Sequence, residues 1–275
     1  MEKIEDIIMR HGRRGMDIIR THLPEEYCRE AAEYILSWDK GNVFLFTGFY
    51  VAGYAETDGP AGTTVMAKAL REAGYTPVII TDELCRDFFE MEGFEVVYMP
   101  FDAGEAFVDE TLEMYAPVGL ISIERCGKNI DGHYANMRGV SIDETTAAVD
   151  LFFTKTAGVI PSVGVGDGGN EIGMGNVADV IKNDLELTPC AIKTDKLVIA
   201  TVSNWGAYGL AAYIDMLVEE TKLSSFEFVK DYIGRTVEIG SVDGITHEKV
   251  VTVDNFPIEV DKEIIEALHS VLGNA

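Results

Sequence analysis

The chain has 275 residues, a length that favours one elaborated α/β domain over two. Hydrophobic residues make up 47% of it, enough to bury a sizeable core, which excludes a disordered chain. The 22 Lys and Arg residues against 47 Asp and Glu residues give a formal net charge of −25, which repels nucleic-acid phosphates and anionic lipids. We therefore expect neither a nucleic acid nor a membrane surface as a partner.

Short apolar runs alternate with amphipathic stretches over most of the chain. The predicted order is strand 43–50, helix 61–73, strand 78–81, helix 85–92, strand 95–99, helix 107–115, strand 118–123, helix 141–157, strand 159–165, strand 196–202 and helix 210–220. Strands that alternate with helices indicate βαβ units, which place helices on both faces of a sheet. The sequence therefore predicts an α/β fold with a mostly parallel, Rossmann-like sheet.

The alternation changes after residue 224. Short strands are predicted at 236–239 and 249–253, followed by a closing helix at 261–272. We interpret residues 224–275 as a small α+β appendage on the main sheet, within a single domain of residues 1–275. An apolar face of this tail could mediate self-association, so the question of whether the chain forms a homo-oligomer stays open.

Three features of the sequence bear on the location of the protein and on the kind of metal site it could have: the N-terminus, the cysteines and the histidines. The N-terminus carries charges where a signal peptide has its apolar region, and Asp215 interrupts the most apolar later stretch, residues 197–218. We therefore expect a soluble, cytoplasmic protein. The four cysteines form no CxxC pair, and the five histidines have no metal-ligand spacing. The sequence therefore gives no support for a metal site built from cysteines or histidines, whereas a carboxylate-rich metal site is not excluded.

Polar, glycine-bearing segments follow five of the predicted strands. In open parallel sheets, ligands bind beyond the carboxyl ends of the strands. The polar and charged residues singled out in these segments are Glu56, Thr57, Asp58, Asp82, Glu83, Glu124, Arg125, Asp167, Asn170, Glu171 and Asn204. Any one segment could be an ordinary turn or helix cap, above all at Asp58 and Asp82. Five of them at one edge predict a binding site there.

The loop after the fifth strand, residues 164–176, reads GVGDGGNEIGMGN and contains the spacing G-x-G-x-x-G of dinucleotide-binding loops. Asp167 and Glu171 would repel a pyrophosphate, and two later glycines cost roughly 1 kcal/mol each inside a helix. Glycines beside Asp167, Asn170 and Glu171 instead suit a tight backbone that directs oxygens at a hard cation or an ammonium group. The alternative is a tight turn with a buried acidic cap.

Two arginines are candidates to bind an anionic substrate. Glu124 and Arg125 are adjacent at the end of the fourth strand, and Asn136 and Arg138 lie on the following loop. A guanidinium matches a carboxylate in a bidentate arrangement, so Arg125 or Arg138 could hold a substrate carboxylate. For each of them, a structural ion pair with one of the many acids is an equal alternative.

Three segments, TGFYVAGYAETDGPAG at 47–62, SIERCG…YANMRG at 122–139 and the loop at 164–176, resemble the D-glutamate cyclase domain family. The resemblance runs from about Gly12 to the C-terminus. It implies an α/β fold, conversion of D-glutamate to 5-oxo-D-proline with loss of water, and a divalent cation, manganese being the expectation. Mitochondrial members carry an additional N-terminal domain, which we expect this chain to lack.

Under this resemblance the acidic residues acquire catalytic and metal-binding roles. Glu124 or Asp58 takes a proton from the α-amine of the substrate. Asp167 and Glu171, assisted by Asn170 or Asp58, hold a divalent ion that polarises the γ-carboxyl group.

The remaining candidates bind substrate. Arg125 or Arg138 holds the α-carboxylate in the geometry for attack. Thr57, Asn136 and Asn204 are further candidates for contacts with the substrate, a small amino acid.

Two other kinds of function stay open. The chain could be another lyase or hydrolase that acts on a small amino acid or a lactam, which a comparison of D-glutamate with other amino acids would reveal. It could also be a non-catalytic protein that binds a nucleotide or metabolite without turnover. A nucleotide site favours lysines near the glycine loop, and the first lysine after that loop is Lys182.

Overall fold

The computed structural model describes residues 2–273, so residue 1 and residues 274–275 of the predicted domain lie outside the described residues. The helices in this part are α1 (Ile4–Ile8), α2 (Met16–Arg20), α3 (Tyr27–Leu36), α4 (Pro60–Glu72), α5 (Glu105–Tyr115), α6 (Asp150–Thr156), α7 (Ala178–Asp184), α8 (Ser203–Leu217), α9 (Phe226–Ile239) and α10 (Ile258–Val271). The strands in this part are β1 (Asn42–Phe46), β2 (Tyr50–Val51), β3 (Tyr54–Ala55), β4 (Thr76–Thr81), β5 (Glu95–Tyr98), β6 (Gly119–Ile123), β7 (Ser162–Gly166), β8 (Lys196–Ile199), β9 (Thr252–Val253) and β10 (Phe256–Pro257).

Six strands form one parallel sheet in the order β5-β4-β1-β6-β7-β8. The chain runs outward from β1 in one direction and then returns to place β6 on the other side of it. This is the Rossmann strand order, in which a crevice opens at the carboxyl ends of the two strands that flank the reversal. The predicted parallel Rossmann-like sheet is confirmed, and its crevice lies between β1 and β6.

Helices cover both faces of the sheet because the central strands are apolar on both sides. On one face α4 and α8 pack against each other, and most of α8 is buried. On the other face Phe44 and Phe46 of β1 meet Phe152 of α6, with ring centroids 5.8 and 5.3 Å apart. Fully buried strands of this kind appear in sequence as continuous apolar runs, which is why they were predictable.

The C-terminal appendage contains helix α9, the antiparallel pair β9–β10 and helix α10. The strand predicted at 236–239 is wrong, because these residues form the last turn of α9, which Gly240 caps. The strand predicted at 249–253 is reduced to the two residues of β9. Helix α10 packs against α8 and α1, which attaches the appendage to the main sheet layers.

Several element boundaries differ from the predictions. The helix predicted at 85–92 is replaced by two short 3₁₀ turns, and the Asp82 side chain caps the first of them. The helix predicted at 141–157 is a 3₁₀ turn followed by the shorter α6. Strand β1 ends at Phe46, four residues early, because the chain turns toward the crevice at Gly48, where φ is +98°. Within residues 2–273, no helix is both long and apolar enough to cross a lipid bilayer.

Candidate active site at the sheet edge

Glu124 directly follows β6 at the strand reversal. Its backbone has φ +47°, a left-handed conformation that non-glycine residues rarely adopt and that often accompanies a functional role. This turn directs the carboxylate into the crevice, where Oε2 accepts a 2.5 Å hydrogen bond from the hydroxyl of Ser203 at the start of α8. Glu124 is therefore held in one orientation by a neighbouring helix.

Asp167 and Glu171 lie on the glycine-rich loop after β7, and the loop folds back on itself. Glu171 Oε2 accepts the Gly169 N–H at 2.7 Å. A Cβ atom at Gly166 would lie 2.9 Å from Glu171 Oε2, and one at Gly168 would lie 2.8 Å from Oε1. These glycines therefore make room for a carboxylate of the same loop. The carboxylate fills the space next to these glycines that a bound pyrophosphate would need, which argues against the interpretation of the loop as a dinucleotide-binding loop.

Asp254 is a site residue that the sequence reasoning missed. It forms the two-residue turn of the β9–β10 hairpin together with Asn255, and their φ values are +53° and +60°. Two consecutive left-handed residues define the tight hairpin turn in which Asp and Asn are favoured. An Asp-Asn pair between two short β-runs was the available signal for this turn, although it does not reveal that the hairpin reaches the crevice.

Arg14 is the second residue that was missed. Its guanidinium donates from Nη1 to Asp167 Oδ1 at 2.5 Å and from Nη2 to the carboxylate of Asp254. The backbone is left-handed at both Arg14, φ +57°, and Gly15, φ +71°. This conformation directs the side chain from the N-terminal segment into the acidic crevice, so Arg14 connects the β7 loop to the C-terminal hairpin.

The carboxylates form two overlapping triads. Oxygens of Glu124, Asp167 and Glu171 lie within 4.8 Å of one another, and so do oxygens of Asp58, Asp167 and Asp254. Asp167 is fully buried, and its Oδ2 has no hydrogen-bond partner among residues 2–273. Clustered carboxylate oxygens are the ligands that hard divalent cations prefer. The donor set therefore fits the metal that the resemblance implies.

Burial and mutual repulsion shift the pKa values of these acids. Burial first, and then neighbouring carboxylates, raise the pKa values of Glu56, Asp58 and Glu124 well above their ordinary range. Burial raises the pKa of Asp167 to about 6 against the opposing effect of Arg14. Burial and the charge of Asp167 raise the pKa of Asp254 to about 7. The crevice therefore favours protons or cations that neutralise its carboxylates.

A cavity of about 330 Å³ opens above this acidic floor. The charged groups in its lining are Arg14, Glu56, Glu124, Arg138, Glu171 and Asp254. The apolar part of the lining is formed by Phe49, Val51, Met137, Val140, Ile142 and Ile245. Glu56 is among the acids in the lining and is largely buried. The cavity is of a size that admits a small amino acid.

Asp58, Thr57 and Asn204 are buried and do not line the cavity, and Asp58 and Asn204 cap helices. Asp58 accepts the backbone N–H groups of Ser203 and Asn204 at the start of α8, at 2.9 and 2.7 Å. Asn204 Oδ1 in turn accepts the N–H groups of Gly59 and Gly62 at the start of α4. Thr57 donates its hydroxyl to the Thr252 carbonyl. The cap interpretation, held open for Asp58, therefore describes its observed contacts.

Arg125 forms a buried structural ion pair. It is 1% exposed, and its Nη1 donates to Asp82 Oδ2 and to the Gly48 carbonyl, both at 2.6 Å. Its Nη2 donates to the Ala147 carbonyl at 3.0 Å. All of these partners belong to the protein, and Arg125 does not line the cavity. Of its two predicted interpretations, the geometry supports the structural one.

Arg138, Asn136 and Asn170 lie at the cavity rim. Asn136 Oδ1 accepts the N–H groups of Arg138 and Val140, which shapes the rim loop. The Arg138 side chain is exposed and forms no ion pair among residues 2–273. Asn170 donates its amide to the Ala135 carbonyl at 2.9 Å, so it holds the rim loop against the acidic loop. Of the two predicted arginines, Arg138 is thus the one that lines the cavity and can meet a ligand.

The fold and the site together define a class, a Rossmann-like α/β domain with an acidic small-molecule cavity at its strand reversal. A family model described as "D-glutamate cyclase-like, C-terminal" matches residues 4–269, and the chain belongs to this family. The human (Homo sapiens) protein "D-glutamate cyclase, mitochondrial" is 32% identical over 185 residues, which cover 59% of this chain and 30% of that relative. The chain therefore matches less than a third of the relative's length, and the predicted family is confirmed.

Proposed function

We propose that this chain is a carbon–oxygen lyase that converts D-glutamate to 5-oxo-D-proline and water with the assistance of a divalent metal, manganese. The carboxylate triad of Glu124, Asp167 and Glu171, of which Glu124 and Glu171 line a small cavity in a member of this family, carries the proposal. The relative's name includes a mitochondrial location, whereas a cytoplasmic location for this chain stays a prediction.

The reaction requires proton transfer between two atoms of one substrate. The α-amine nitrogen attacks the γ-carboxyl carbon, which forms the C–N bond of a five-membered ring and a tetrahedral oxyanion. One γ-oxygen then leaves as water, and the two protons that the ammonium nitrogen gives up end on that oxygen. A carboxyl group with a raised pKa can both accept and return a proton near neutral pH. We assign this transfer to Glu124, which faces the cavity and whose orientation is held by Ser203.

Asp58 is a weaker candidate for the same role. Its carboxylate accepts three backbone N–H groups, from Gly59, Ser203 and Asn204. A carboxylate engaged in this way stabilises helix α8 and has little freedom to meet a substrate.

Asp167 and Glu171 would hold the metal, and Glu124, the third carboxylate of the triad, would lie beside it and exchange protons with the substrate. When bound, a divalent ion supplies Lewis-acid polarisation of the γ-carboxyl group and stabilises the developing negative charge. Asn170, predicted to assist, donates its amide nitrogen to Ala135, so its contribution from this position is to hold the loop.

The rim loop, which carries Asn136 and Arg138, would orient the substrate. Arg138 would bind the α-carboxylate through its guanidinium, and Asn136 would maintain the loop that presents it. The apolar residues of the cavity lining, which include Phe49, would contact the methylene groups of the substrate and exclude water. This arrangement leaves the amine and the γ-carboxyl group of the substrate facing Glu124.

The proposal is tested by incubating metal-stripped protein with D-glutamate or L-glutamate, with and without Mn²⁺, and following 5-oxoproline by chiral chromatography. We expect a metal-dependent product from D-glutamate only. Folded protein that gives no product from D-glutamate but turns over another amino acid or a lactam would indicate a different lyase or hydrolase. Saturable binding without any turnover would indicate a non-catalytic binding protein.

A further inference from the structure

The two carboxylate triads provide two adjacent positions for a positive charge, and Asp167 belongs to both. If all six acids around the crevice were ionised, Arg14 would be the one cationic side chain among residues 2–273 that forms an ion pair with any of them. The six acids are Glu56, Asp58, Glu124, Asp167, Glu171 and Asp254. The hydrogen bonds and ion pairs that the protein itself makes to each triad therefore show which of the two positions is open to a ligand.

The position between Asp167 and Asp254 is occupied by the protein itself. The Arg14 guanidinium binds one oxygen of each of these acids, and the third member, Asp58, accepts three backbone N–H groups. Arg14 is placed there by its left-handed backbone. The preceding residue, Arg13, holds the same hairpin by donating to the Asp254 carbonyl at 2.8 Å.

The position between Glu124, Asp167 and Glu171 has a different pattern. Within residues 2–273, hydrogen bonds reach one oxygen of each carboxylate, from Ser203 to Glu124, from Arg14 to Asp167 and from Gly169 to Glu171. Asp167 is 0% exposed, and its second oxygen has no hydrogen-bond partner in this part of the chain. Ligand carboxylates of metal sites are commonly oriented in this way by a hydrogen bond to their other oxygen.

We propose that Arg14 is a built-in cation that occupies one of two cation positions, so that the chain binds one divalent ion and removal of Arg14 creates a second site. The proposal rests on the proposed function only for the first ion. The second site would take a hard divalent cation such as Mn²⁺, because its ligands are the carboxylates of Asp167 and Asp254.

The test measures the stoichiometry of Mn²⁺ binding to the full chain. Free Mn²⁺ is titrated and followed by its six-line electron paramagnetic resonance (EPR) signal, for the wild type, for Arg14→Met and for Arg20→Met as a matched control. Arg20 pairs with Asp6 away from the crevice. We expect one ion per chain for the wild type and Arg20→Met, and two for Arg14→Met. Because the two ions share Asp167, Arg14→Met should also show an exchange-coupled spectrum.

Stoichiometries other than these overturn the proposal. One ion in both the wild type and Arg14→Met contradicts this inference alone. No ion in the wild type and one in Arg14→Met would mean that Arg14 competes for a single position. No ion in either protein contradicts this inference together with the metal requirement of the proposed function, whereas D-specific turnover, measured separately, tests the reaction itself.

Two further variants keep the test decisive if Arg14→Met does not fold. Asp254→Asn removes a ligand of the Arg14 position only, so the wild-type ion should bind with a dissociation constant within about three-fold of the original. The double variant Arg14→Met/Asp254→Asn removes the guanidinium together with a carboxylate that it balances, and it should bind a single ion. A ten-fold or greater loss of affinity in Asp254→Asn would place Asp254 in the site of the first ion and overturn the proposal.

Discussion

Asp58 and Asn204 cap each other's helices. The Asn204 N–H, in the first turn of α8, donates to Asp58 Oδ1 at 2.7 Å, and Asn204 Oδ1 accepts the Gly59 N–H, just before α4, at 3.0 Å. The two helices pack against each other over the same face of the sheet. This reciprocal arrangement satisfies backbone donors at both helix starts, and it places Asp58 at the helix terminus where a Rossmann domain commonly binds an anion.

Replacing Asp58 by Ala should reduce stability more than chemistry. Three buried N–H groups lose their acceptor, so we expect the free energy of unfolding to fall by about 1–3 kcal/mol. The folded variant should keep kcat within about ten-fold of the wild type, measured at a temperature where both are folded. Denaturant unfolding and turnover of D-glutamate check this, with exposed Asp102→Ala as the control. Unchanged stability with a hundred-fold loss of kcat would restore Asp58 as the proton acceptor.

The two arginines should respond oppositely to replacement by Met. Arg125→Met leaves Asp82 buried without its charge partner and should destabilise the fold by about 3–5 kcal/mol. Arg138→Met should leave stability within about 0.5 kcal/mol of the wild type. It should raise KM for D-glutamate by about 10-fold or more through loss of a charge-assisted contact. Thermal unfolding and steady-state kinetics measure both effects. An unchanged KM in Arg138→Met would show that the substrate carboxylate binds elsewhere.

Asp243 should control the hairpin that carries Asp254. Its carboxylate accepts four hydrogen bonds, from the backbone of Ile245, Thr246 and Asn255 and from the Thr252 hydroxyl. Burial raises the pKa of Asp243, but these hydrogen bonds outweigh burial and lower it below its ordinary value. The stabilisation is therefore present above the ordinary Asp pKa, about 4, and is lost as the pH falls through the lower folded-state value.

Asp243→Ala should therefore lower the free energy of unfolding at pH 7 by about 2–4 kcal/mol, since buried N–H donors lose their acceptor. Turnover of the remaining folded protein should also fall, because the hairpin that carries Asp254 forms part of the cavity lining. The exposed Asp179→Ala variant is the control, and both are compared by urea unfolding. A variant with wild-type stability at pH 7 would contradict this assignment.

Stability should depend on pH through Asp261, which lies in α10 away from the cavity. Burial raises its pKa to about 7, and the Trp205 indole N–H donates to its Oδ1 at 3.2 Å. Because the folded protein holds this proton more tightly than the unfolded chain, stability contributed by protonated Asp261 is lost as the pH rises from about 4 to about 7.

Asp261→Asn keeps an acceptor for Trp205 without the ionisation. Melting temperatures of the two proteins should converge near pH 4. At pH 8 the variant should melt higher, by about 2–4 °C for each kcal/mol of penalty removed. Equal melting temperatures at both pH values would show that Asp261 carries no such penalty.

The sheet was predictable from the sequence because its strands are buried on both faces. The runs in β1 and β6 are apolar without alternation, and the polar residues that follow them gather at the carboxyl edge. The acids Glu124, Asp167 and Glu171 were predicted for this reason, and the structure brings all three together. Segment 85–92 was misassigned because local capping by Asp82 produces short 3₁₀ turns in place of a helix.

The pairing of Arg14 with Asp254 in the crevice could not be predicted from the sequence, for a physical reason. They pair across 240 residues, and neither local periodicity nor turn composition contains information about contacts at that separation. The same limit applies to Arg125 and Arg138. Both are compatible with an anion site by residue type, and only the burial of one and the exposure of the other distinguish them.

The most direct test of the proposed reaction is the turnover of D-glutamate by Glu124→Gln, with 5-oxo-D-proline followed by chiral chromatography in the presence of Mn²⁺. The exposed Glu144→Gln variant on the following loop is the matched control. Because the amide cannot accept and return a proton, we expect kcat to fall by about 10²–10⁴-fold in Glu124→Gln, with the melting temperature retained. Glu144→Gln should be unaffected. Wild-type turnover by folded Glu124→Gln would contradict the assignment of the crevice acids to proton transfer.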